Sequence, residues 1–76
     1  MTIEVLKHEK NRSGYFLKHK ALVKVTNLAD ENELVVKTSV KVGYHPMAYG
    51  LYGFNVRETV KEDQYMITWE TGISAD

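Results

Sequence analysis

The side chains in this chain that could do chemistry are three histidines, His8, His19 and His45, three serines and a short acidic run, Glu58, Glu62 and Asp63. Imidazoles bind metals or shuttle protons when a helix or strand sets them two to four residues apart, and no HxH, HxxxH or HExxH spacing occurs. Ser13, Ser39 and Ser74 lack the GxSxG setting of a nucleophile elbow. Neither GxxxxGK[ST] nor GxGxxG is present, and there is no cysteine to form a disulfide or a thiolate metal site. Carboxylates at a turn are normally solvated, and nothing in their spacing sets a pair around a cleft. The expectation is a protein with no catalytic residue, no metal site and no cofactor. His19, on the apolar side of a strand-like run, reads as a hydrogen-bonded core or rim residue.

Two other features stand out. The first is Gly43–Phe54, which holds Tyr44, Tyr49, Tyr52 and Phe54 together with three glycines and the only proline. Glycine opens backbone conformations closed to other residues, and Pro46 fixes its own φ and pushes His45 towards an extended conformation. Such a loop presents rings in a defined shape. Tyrosine gives large contact area for little rotamer entropy, so Tyr44, His45, Met47, Tyr49 and Tyr52 are the expected partner-binding anchors. The second feature is a set of lysines, Lys18, Lys20, Lys24, Lys37 and Lys41, whose position depends on the elements that carry them.

Those elements read as strands. Thr2–Lys7 alternates Ile3 and Val5 against Glu4, and Lys10–Gly14 is a polar hairpin turn. Tyr15–Thr26 is apolar at its odd positions (Leu17, Ala21, Val23, Val25) and carries Lys18, Lys20 and Lys24 at even ones. Asn27–Glu33 is an acidic connection with at most a turn of helix capped by Asn27. Leu34–Tyr44 then reads as a third strand, apolar at Leu34, Val36, Val40, Val42 and Tyr44. Leu51–Thr59 and Gln64–Thr71 complete the set, and residues 72–76 form a frayed tail. The expected fold is all-β: one domain over residues 1–76, a five-stranded antiparallel meander closed as a small barrel or folded as a sandwich.

Pairing the second and third strands to bury their valines requires partners that sum to an odd number, and a sum of 61 suits the loop. Val25 then faces Val36 and Val23 faces Thr38. On the other side Lys24 meets Lys37 and Lys20 meets Lys41, so all five lysines share one face. That face is either solvated, keeping the sheet from aggregating, or an anion-binding surface.

Composition bounds the function classes. A chain of 76 residues with 43% hydrophobic and 26% charged residues is globular rather than disordered. Formal net charge is zero, but residues 1–41 carry eight Lys and Arg against five Asp and Glu, whereas residues 42–76 carry two against five. This split argues against a generally basic nucleic-acid binder. No signal-like segment or membrane-length apolar run is visible, and the expected location is cytoplasmic. The primary expectation is a non-enzymatic protein-interaction module, an accessory or inhibitor protein of phage or mobile-element type that occupies the surface of a larger partner. Tyr49–Phe54 is similar to the Gly–aromatic alternation of cold-shock and RRM sheets, though without their lysine and phenylalanine pattern. That similarity carries the alternative, a single-stranded nucleic-acid binder using the lysines and stacking rings. A homodimer through an open sheet edge is a further expectation.

Overall fold

The computed structural model describes residues 1–43 and 52–72. Four strands, β1 (Thr2–Ser13), β2 (Phe16–Thr26), β3 (Tyr52–Glu58) and β4 (Gln64–Gly72), form one antiparallel sheet in the order β1-β2-β4-β3. A helix, α1 (Glu31–Lys41), lies between β2 and β3 in the chain. The sheet is open, so the expected five-stranded barrel or sandwich is corrected to four strands and a helix.

The largest correction concerns Leu34–Tyr44, expected as a strand. Its local signals for a helix are polar. Asp30 caps the N-terminus, its carboxylate accepting from the Asn32 N–H at 3.0 Å. Glu31 and Glu33 sit where the helix dipole favours negative charge and Lys41 where it favours positive charge. Glu33 and Lys37 pair at 2.8 Å one turn apart. Asn27, the expected cap, instead takes φ 57° where the chain leaves β2. Gly43, at φ 80°, closes the last turn by donating to the Val40 carbonyl. The burial follows a helical period: Leu34, Val35, Thr38 and Ser39 face inward, while Val36 and Val40 are 40% and 56% exposed. The strand reading buried those two valines.

Because Glu31–Lys41 is helical, the pairing of Lys24 with Lys37 and of Lys20 with Lys41 is also overturned. β2 pairs instead with β1 and β4, which sets Lys24 opposite Glu4, Lys20 opposite Glu9 and Lys18 opposite Glu70. Opposite charges across a ladder attract where like charges would repel. The β1–β2 turn is shorter than expected, with Ser13 paired to Phe16 across Gly14 and Tyr15. Gly14 has φ 62°, the positive value that a two-residue hairpin turn needs at its first central residue.

Each edge strand is interrupted once, β1 at Leu6 and β3 between Tyr52 and Asn55. The extra residue at Leu6 resets the alternation. Ile3 and Val5 point to the helix side before it, and His8 does so after it, across from Ala21. The core is the layer between α1 and one sheet face: Ile3, Ala21, Val23, Val25, Leu34, Val35, Ile67 and Trp69. Of the expected aromatic loop, Gly43 ends the helix and Tyr52–Phe54 opens β3. Tyr44, His45, Met47 and Tyr49 lie outside the described residues, as does the expected tail beyond Gly72.

Leu34→Ala should lower the unfolding free energy by about 2–5 kcal/mol, whereas Val36→Ser should change it by no more than about 0.5 kcal/mol in urea titrations. Equal losses would restore the strand reading. The Thr38 hydroxyl is buried without a hydrogen-bond partner, so Thr38→Val should raise the stability by about 1 kcal/mol in the same assay.

Candidate binding interface

Two clusters of polar side chains are built by the sheet, one on each face. On the helix side, β1, β2 and β4 bring together His8, His19, Trp69 and Thr71. His8 Nε2 and His19 Nδ1 lie 3.1 Å apart, and His19 Nε2 lies 2.9 Å from the Thr71 hydroxyl. The two imidazoles and the indole are stacked, their planes within 9° of one another and their centroids 4.9–5.9 Å apart. His19 is 1% exposed. Burial, reinforced by His8 and the Lys10 ammonium, pushes its pKa down to about 4. His8 is also lowered, again by burial first and Lys10 second. This is the hydrogen-bonded core histidine the sequence suggests for position 19. The neutral imidazole of His19 thus ties β2 to β1 and β4 through these two contacts. No group of three or more metal-ligating side chains occurs among the described residues.

The opposite face has no described element upon it. Across it run four rows set by the strand registers: Glu4–Lys24–Gln64, Lys7–Leu22–Met66–Arg57, Glu9–Lys20–Thr68–Asn55 and Asn11–Lys18–Glu70. Five cations (Lys7, Lys18, Lys20, Lys24 and Arg57) therefore share this face with three carboxylates. Lys7 and Glu9 pair at 3.1 Å, and hydrogen bonding from Lys7 lowers the Glu9 pKa. Exposed pairs of this kind contribute little to stability. Leu22 and Met66, both half-buried, sit side by side at the centre. Three adjoining shallow depressions of about 240, 270 and 310 Å³ all have Lys20 in their walls. The last of these lies against Gly53, whose φ of 58° turns its bare α-carbon towards Glu70.

Lys18, Lys20 and Lys24 are thus brought together as expected. Lys37 and Lys41 are not, because they belong to α1, which packs on the other face. Tyr52 is paired with Glu70 in β3. Lys7, Leu22, Arg57 and Met66 complete the surface and escaped the sequence reading. Leu22 and Met66 were available from strand alternation, since each occupies the same parity as its strand's polar residues. Lys7 was not, because only the bulge at Leu6 turns it to this face.

The depressed histidine pKa values fix the sign of a pH effect. Unfolded histidines take up protons below about pH 6.5, while folded His19 resists protonation down to about pH 4. Acidification through that window therefore favours the unfolded chain. The melting temperature should fall steadily from pH 6.5 to pH 4, and His19→Gln, though less stable, should flatten the slope; a slope unchanged by the substitution would remove His19 as its source. Compared with protein-family models, with curated proteins and with solved structures, the chain matches none.

Proposed function

We propose that the chain is a non-enzymatic protein-interaction module that holds an acidic segment of a larger protein against the open face of its sheet, acting as an accessory or inhibitor by occupying that segment. The observation that carries this reading is the convergence of Lys18, Lys20, Lys24, Lys7 and Arg57 around Leu22 and Met66, with Lys20 common to three depressions. Clustered cations speed and orient the encounter with an acidic partner. The aliphatic centre offers the desolvated contact that a lasting complex needs.

A nucleic-acid strand fits this face less well. Sequence-tolerant strand binding relies on rings on which bases stack. Phe16, at the end of β2, is the ring that the central strands β2 and β4 bring to this face. The centre is aliphatic.

A poly-glutamate peptide should bind the protein with an affinity that falls as salt rises. Lys20→Glu should weaken that binding at least about tenfold, equivalent to about 1.4 kcal/mol. Lys61→Glu, the same charge reversal on the β3–β4 turn, should leave it within about twofold; the stability should change by no more than about 0.5 kcal/mol in Lys61→Glu and by no more than about 1 kcal/mol in Lys20→Glu, which faces Glu9. Equal effects of the two variants, or tighter binding of an oligo-dT strand than of the peptide, would overturn the proposal.

A further inference from the structure

We infer that the acidic segment this face takes is an amphipathic helix, lying along the strands with its apolar stripe on Leu22 and Met66 and acidic residues on both flanks. The inference rests on the acidic-partner reading above and adds the partner's shape. The row Lys7–Leu22–Met66–Arg57 crosses all four strands and has a cation at each end with two aliphatic side chains between. Neighbouring strands lie about 4.8 Å apart, so the two outer positions are separated by roughly 14 Å. A helix with its side chains is about 10–12 Å across. It therefore fills the space between Lys7 and Arg57 and brings residues on either side of its apolar stripe to both cations. Along β2, Lys18 to Lys24 covers roughly 20 Å, the length of about 13 helical residues.

An extended partner suits the surface poorly. A single strand laid on the face is too narrow to reach both outer cations. Addition of a strand at a sheet edge needs a regular row of free backbone groups, and both edges are broken by bulges, at Leu6 and at Gly53–Phe54. Charged side chains at Lys7, Glu9, Lys10 and Arg12 further blunt the β1 edge. Lys18, Lys20 and Lys24 along β2 disfavour a basic helix, while Glu4 and Glu9 on either side of Lys7 confine the acidic contact on the β1 flank to Lys7.

Two 16-residue peptides of one composition, rich in Glu and Leu, separate this inference from the reading beneath it. In the first, the leucines form one helical stripe with glutamates on both sides; in the second, they are scattered around the helix. The striped peptide should bind at least about tenfold tighter by fluorescence anisotropy and gain helical circular dichroism on binding. Leu22→Ser with Met66→Ser should erase that advantage, and Arg57→Glu, a milder change checked by its melting temperature, should weaken the striped peptide several-fold. Equal binding of both peptides would sink the helical partner while leaving the acidic-partner reading intact. Failure of both peptides and of poly-glutamate would sink both. Sedimentation showing that a second copy of the chain fills the face would also overturn the inference.

Discussion

The fold depends on one shared core, in which Leu34 and Val35 from α1 are buried in a single cluster with Val23, Val25, Ile67 and Trp69 of the two central strands. A sheet of four strands cannot shield either of its faces alone, and burial of aliphatic side chains of this size contributes about 1.5–3 kcal/mol each. One helix of 11 residues covers one face only. The sidedness of the whole molecule follows. Odd-numbered residues of β2 turn towards the core and, His19 apart, are apolar, while on its even-numbered side Lys18, Lys20 and Lys24 are exposed.

Sidedness would be lost at the edge without the extra residue at Leu6. Had β1 continued in phase from Ile3 and Val5, Lys7 and Glu9 would have been directed into the helix-side layer and His8 to the open face. The bulge shifts the remainder of the strand by one position. A single inserted residue therefore does two jobs. It supplies an imidazole to the stack beneath the sheet, and it sends a cation and a carboxylate to the surface above it.

How much of this was legible depended on whether the signal was local. β2, β3 and β4 could be read because Val23, Val25, Val56, Ile67 and Trp69 alternate with polar residues in continuous runs. α1 was misread because Val35, Val36, Thr38, Val40 and Val42 are β-branched, and their spacing satisfies a period of two as readily as one of 3.6. Asp30, Glu33 and Lys37 held the deciding information, in a cap and an i,i+4 pair. The three lysines of β2 could be assigned to one face from their strand alone. The two cations that frame the same face, Lys7 and Arg57, depend on a bulge and on a strand order of β1-β2-β4-β3, neither of which is written in any local run. Proximity of His8 and His19, 11 residues apart, arises from the hairpin and has no counterpart in metal-ligand spacing.

The stack of His8, His19 and Trp69 has an optical consequence. Trp69 is the only tryptophan in the chain, and its indole lies parallel to two titratable rings whose centroids are 4.9 and 5.9 Å away. Its emission is therefore a built-in gauge of the helix-side interior, sensitive to the charge on its neighbours and to loosening of α1. Because Trp69 also lines the depression beside Lys18, Lys20 and Glu70, this one natural fluorophore reports on both sides of the sheet.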